Sequence, residues 1–276
     1  MFFVPFLIML REGLEATLIV VIITSYLKQS GQGLWLKYVW LGVISALVLC
    51  LLLGIGIEKT TGEFPQQQQE LFEAIVAVVA VVMLTYMVFW MQKASVSISR
   101  DIRAAVDNAL TRSHAPARAL MLMVFLAVAR EGLESVFFLM AAFTQDVGVM
   151  APIGAVSGVV CAVLIGFALH FAGSRLPLKA FFRWTSLLIL LVAAGLSAGA
   201  IRAFHEAGVW NYLQATAFNS SDILSTHSLF GTLLESLFGY QSMPSQSEVL
   251  VYLLYLLPAL TWFLWRAKQT SSSYAQ

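Results

Sequence analysis

The chain has 276 residues, of which 59% are hydrophobic and only 11% charged, with a mean hydropathy of +0.83 and a net charge of +1. Soluble domains average about 25% charged residues, so this composition excludes an ordinary soluble protein and points to a polytopic membrane protein. A net charge so close to zero gives no reason to expect a polyanionic partner such as nucleic acid.

Apolar runs long enough to cross a hydrocarbon core occur at residues 3–27, 34–57, 70–91, 119–143, 152–172, 184–203 and 248–265. The expected fold is therefore an all-α polytopic membrane protein with seven transmembrane helices, forming a single domain over residues 1–276. No basic region and no small-residue cleavage site precede the first run's polar residues, so it reads as a retained span rather than a signal peptide. Cys50 and Cys161 fall inside apolar runs and are expected as small buried hydrophobes, not as a disulfide.

Lysine and arginine placement sets the orientation. With the N-terminus outside, the inner segments hold Lys28, Lys37, Lys93, Arg100, Arg103, Arg112, Arg118, Arg175, Lys179, Arg183, Arg266 and Lys268, against Lys59 and Arg202 outside. Basic residues concentrate in cytoplasmic loops, so the N-terminus is expected outside and the C-terminus inside. Most acids follow the opposite bias, which makes the outer face one that gathers cations.

The first run contains Arg11-Glu12-Gly13-Leu14-Glu15, and the fourth repeats it letter for letter as Arg130-Glu131-Gly132-Leu133-Glu134. Ionisable residues at such depth cost roughly 2.5–3.5 kcal/mol each on insertion scales and are kept mainly where they function. Helical rotation of 100° per residue puts each Arg and its two Glu in one wedge. If the first and fourth spans cross antiparallel at Gly13 and Gly132, the four carboxylates and two guanidiniums meet with room for a cation. Carboxylate oxygens are hard ligands, suited to magnesium, calcium, manganese or iron, so Glu12, Glu15, Glu131 and Glu134 form the candidate metal site. Arg11 and Arg130 would hold the carboxylates in place as ion pairs. The plainer alternative is a pair of buried charge clusters that locks two helices together.

The duplication extends beyond the motif. At an offset of 119, Phe6-Leu7 matches Phe125-Leu126; at 112, Gly42, Ser45, Val48, Leu52, Gly54 and Pro65 match Gly154, Ser157, Val160, Leu164, Gly166 and Pro177. Repeat one covers about 1–91 and repeat two about 119–203, and three spans per repeat place the copies in opposite orientations, with the seventh span outside the repeat. Residues 92–118 read as a basic inner loop, partly helical at the membrane surface. The outer segment 204–247 carries Phe230, Leu233, Leu234, Leu237 and Phe238 at helical spacing around Glu235, suggesting an amphipathic or re-entrant helix that serves as a lid or as a cap.

Other ligand-capable residues are less specific. Glu70 and Glu73 stand one turn apart at the outer end of the third run, where they suit either an inbound cation path or the helix dipole. Glu58 aligns with His170, and His205, Glu206, Asp222 and His227 lie on or beside the outer segment without tight metal spacing. Met83, Met87 and Met91 read as a packing stripe, and Gly195 and Gly199 as a close-packing face.

Two Arg-Glu-x-x-Glu motifs in spans one and four resemble those of the iron permeases, the family of bacterial EfeU-type and fungal high-affinity transporters. The resemblance covers nearly the whole chain and includes Thr61-Gly62-Glu63-Phe64-Pro65, Gln69-Glu70-Leu71-Phe72-Glu73, Ala203-Phe204-His205-Glu206-Ala207-Gly208 and Ser225-Thr226-His227-Ser228-Leu229-Phe230-Gly231-Thr232-Leu233. It implies import of iron across the bacterial inner membrane, handled by Glu12, Glu15, Glu131 and Glu134, with no cofactor beyond the transported ion. It also implies a periplasmic EfeO-like iron-binding protein and an EfeB-like haem peroxidase as partners. Three other readings of the residues stay open: a permease for another divalent cation, a carboxylate-bridged metal oxidoreductase, which would ordinarily carry Glu-x-x-His pairs absent from both motifs, and an assembly subunit with structural charge pairs.

Overall fold

The computed structural model describes residues 2–61, 65–94, 98–111, 115–143, 150–172, 178–221, 231, 234–235 and 238–272. Its helices are α1 (Phe3–Gln29), α2 (Leu36–Thr61), α3 (Gln66–Ala94), α4 (Ile98–Thr111), α5 (Pro116–Phe143), α6 (Met150–Ala172), α7 (Leu178–Glu206) and α8 (Gln246–Ser272), with a 3-10 turn at Gly33–Trp35. Each of the seven apolar runs is helical, extending a few residues past the hydropathic stretch into polar flanks. Among the described residues there is no strand, only an isolated bridge between Thr216 and Ser245. Five helices, α2, α3, α6, α7 and α8, are long and apolar enough to cross a membrane by length and composition. α1 and α5 are as long, and apart from Lys28 and Arg118 near their ends their charge comes from the two motifs.

Local chemistry sets the ends. Gly31 and Gly208 have φ of 72° and 73°, the left-handed conformation that stops α1 and α7 without a Cβ penalty. Pro116 opens α5 at a position where the missing N–H is not needed, and Pro65 offers its carbonyl to Gln68 and Gln69 at the start of α3. The inner loop expected over 92–118 contains α4, whose Val106 is buried while its charged face is exposed. α4 is tied to α1 by the Tyr26 hydroxyl, which donates to Asp107 at 2.6 Å.

α1 packs chiefly on α6, α2 on α5, and α3 on α7, with α1 also touching α5 and α8 resting on α7. Small residues allow the first two pairings, and the close approaches fall in matched sets. Gly42 meets the Met121 backbone as Gly154 meets that of Phe2; Gly132 meets Cys50 as Gly13 meets Ala162; Gly54 meets Val136 as Gly166 meets Thr17. Every set is related by the 119 and 112 offsets of the sequence repeat. Gly13 and Gly132 thus do not form the α1–α5 crossing expected of them; each admits a second-span helix instead. α1 meets α5 through other residues, because the glycine of each motif lies to one side of the charged wedge.

The outer segment is partly described. Gly231, Leu234, Glu235 and Phe238 are helical, and Gly239, with φ of 65°, seats its backbone against Gly195 of α7. Gly195 is 11 residues before Glu206, about 16 Å along the helix at 1.5 Å per residue. The segment therefore dips well into the bundle rather than resting on its end. Gly195 does mark a close-packing face, but its partner is this segment and not another long helix.

A Cβ on Gly158 would stand 2.5 Å from the Phe6 carbonyl oxygen and 2.9 Å from the Leu10 nitrogen, whereas one on Gly56 would meet nothing within 4 Å. Overpacking of this kind costs about 1–3 kcal/mol. Gly158→Val is expected to lower the apparent melting temperature in detergent by about 3–10 °C, and Gly56→Ala to leave it unchanged, as read by thermal-shift fluorimetry.

Candidate metal centre

The motif wedges of α1 and α5 face each other. Arg11, Glu12 and Glu15 are buried, as is Glu131, and oxygens of Glu12, Glu131 and Glu134 all lie within 4.8 Å of one another. A small divalent ion with bonds of about 2.1 Å separates opposite ligands by about 4.2 Å, so slight side-chain rotation closes these oxygens on one ion. Glu15 stands beside the group and interacts electrostatically with Glu134 and Arg130.

Each arginine pairs within its own helix. Arg11 reaches Glu15 at 3.3 Å and Glu12 at 3.8 Å, and Arg130 reaches Glu134 at 3.0 Å. Four carboxylates against two guanidiniums leave two negative charges formally uncompensated. Both oxygens of Glu12, Oε1 of Glu15 and Oε2 of Glu131 are buried without a hydrogen-bond partner. Buried polar atoms are nearly always partnered; two of these oxygens have only the Arg11 ion pair, and the convergence of Glu12, Glu131 and Glu134 makes this a candidate cation site. No thiol or imidazole joins them among the described residues.

The remaining candidates lie elsewhere. Glu70 and Glu73 sit near the start of α3, where Glu70 is hydrogen-bonded to Glu206 at the end of α7, and Gln69 donates to Glu73 at 3.2 Å. Gln66, Gln67, Glu70 and Glu206 line a cleft of about 350 Å³. Two carboxyl groups this close share a proton or hold a cation between them. His205 contacts the Ser247 hydroxyl through Nε2 at 3.2 Å, beside an Arg202–Glu248 pair of 3.1 Å that ties α7 to α8. Glu58 and His170 belong to α2 and α6, but their side chains are outside those described, and His227 and Asp222 lie outside the described residues. Met87 and Met91 are buried in the apolar core with Met83 packed against it, as a packing stripe should be.

One contact at the site has no trace in the motif. The Arg130 guanidinium carbon stands 5.1 Å from the ring centroid of Trp90 on α3. Residue spacing within α5 cannot report a partner 40 positions away; the only signal was an aromatic near the end of the third run.

A family model described as "Iron permease FTR1 family" matches residues 2–267. The chain is 62% identical over 271 residues to "Ferrous iron permease EfeU" of Yersinia pestis, covering 98% of this chain and 96% of the relative. It is 63% identical over 261 residues to the protein of the same name from Escherichia coli O157:H7, covering 95% of each. No solved structure matches. With its apolar helices, this makes the protein a multi-pass membrane protein, and the chain belongs to the iron permease FTR1 family.

Proposed function

We propose that this protein is an iron permease of the bacterial cytoplasmic membrane, importing the ion, ferrous as in the names of its relatives, through the carboxylate centre of α1 and α5. The observation that carries the reading is the convergence of Glu12, Glu131 and Glu134 within 4.8 Å, with Glu15 beside them and two arginines backing the set. The acidic end of the bundle gathers the cation, and the buried oxygens replace its water shell. Seven spans cross the membrane, N-terminus outside and C-terminus inside, as two inverted three-helix repeats followed by α8. The matched glycine contacts support that plan, since exchanging the two halves turns each α1–α6 contact into an α2–α5 contact. The charge centre then lies at the repeat interface, where secondary transporters bind substrate. An EfeO-like binding protein and an EfeB-like peroxidase are proposed to deliver the ion.

In proteoliposomes, Glu12→Ala, Glu131→Ala and Glu134→Ala are each expected to lower initial ⁵⁵Fe uptake by about tenfold or more, the loss that follows removal of one ligand from an oxygen cage. Asp101→Ala, on the exposed face of α4, should transport normally. Uptake at the wild-type rate in the three glutamate variants would remove the centre from the transport path. For the topology, alkaline phosphatase fused after Asn211 is expected to be active and fused after Asp107 inactive, because the enzyme matures only outside the cytoplasm.

A further inference from the structure

The two motif copies have the same letters and unlike surroundings. Arg11 is 0% exposed, whereas Arg130 is 50% exposed even though it holds Glu134 at 3.0 Å. Arg130 is not near a helix end, since it lies 14 residues after Pro116, about 21 Å along α5. Leu126 and Leu122, one and two turns earlier on the same face, are exposed as well. Helical side chains lean toward their own N-terminus. Arg130 therefore leans toward the start of α5, and Trp90, near the end of α3, leans back to meet it. Arg11 leans the other way, toward the start of α1, and is covered. A charged head at mid-span faces the bundle interior or a water-filled cavity rather than hydrocarbon. On that rule the uncovered half of Arg130 is assigned to water rather than to lipid.

We propose that the structure is the inward-open form of the carrier, in which Arg130 and Trp90 line the mouth by which the cation leaves toward the α4 side. Trp90 is a positioning residue: the face of its ring attracts the guanidinium and holds it to one side of the path, while Glu134 keeps its pairing. When the carrier closes inward, Arg130 takes up the covered position that Arg11 holds here. This inference rests on the permease reading and its topology.

Thiol accessibility tests it without any cargo, so a wrong assignment of the ion would not disturb the result. In a background carrying Cys50→Ala and Cys161→Ala, Leu126→Cys and its repeat mate Leu7→Cys are treated with a charged, membrane-impermeant thiosulfonate. Leu126→Cys is expected to react about tenfold faster in inverted than in right-side-out vesicles, since only a hydrated thiol ionises and reacts, and Leu7→Cys to resist in both. Reaction of Leu126→Cys with a lipid-soluble maleimide alone, or faster reaction from the outer side, would overturn the proposal. For the positioning role, Trp90→Leu is expected to lower the maximal uptake rate about tenfold while half-saturation stays within about twofold, and Trp90→Phe, which keeps a ring face, to retain at least about half the rate. Equal rates in the two variants, whether normal or lost, would overturn that role.

Discussion

Everything in this molecule is arranged around carboxylates held in an apolar bundle by arginines from the same helix. An isolated ion in hydrocarbon is prohibitive, and an i, i+4 Arg–Glu pair reduces the cost without leaving the helix. Neutralisation is formally incomplete: two guanidiniums serve four carboxylates, and oxygens of Glu12, Glu131 and Glu134 come within 4.8 Å of one another where α1 meets α5. A fully paired cluster would be a lock. An underpaired one is a candidate site for a hard cation.

Such a centre needs helices that come very close, and the glycines and small residues around it permit that. Gly13 against Ala162 and Gly132 against Cys50 let each motif helix sink into a second-span helix of the other half. The halves are therefore interlaced rather than side by side. In the bilayer, where lipid is as apolar as the side chains, such backbone-to-backbone packing is a main source of association. The charge centre and the packing are one arrangement seen at two scales, since the α1–α6 and α2–α5 pairs present the wedges to each other.

The departures from symmetry are as informative as the symmetry. α8 and the segment before it have no counterpart in the repeat: Gly239 seats on Gly195 of α7, the Arg202–Glu248 pair anchors α8 to the same helix, and Tyr255 and Trp262 of α8 reach Thr85 and Phe89 of α3. α4 packs against both α1 and α5 and is tied to α1 by the hydrogen bond from Tyr26 to Asp107. The same asymmetry appears at the centre, where Arg11 is covered and Arg130 is half exposed.

Residue order alone determined much of this protein. Hydropathy fixed the seven helical segments, because a helix that must satisfy its backbone without water has to be long and apolar throughout. The duplicated five letters pointed to the residues that the fold brings together, Glu12 with Glu131 and Glu134, because ionisable groups in such runs are costly. The repeat offsets even contained the pairing of contacts. What only the tertiary structure decided is which faces meet. Helical rotation puts Gly13 to one side of its charged wedge but cannot say which helix it admits, and the α1–α5 glycine crossing gave way to the α1–α6 and α2–α5 pairings. Nor could spacing relate Arg130 to Trp90, Glu70 to Glu206 or Gly195 to Gly239, because periodicity describes one helix at a time. Two identical pentapeptides are also indistinguishable as letters. Their different burial arises from the neighbours that the fold brings to each, and that is a property of packing.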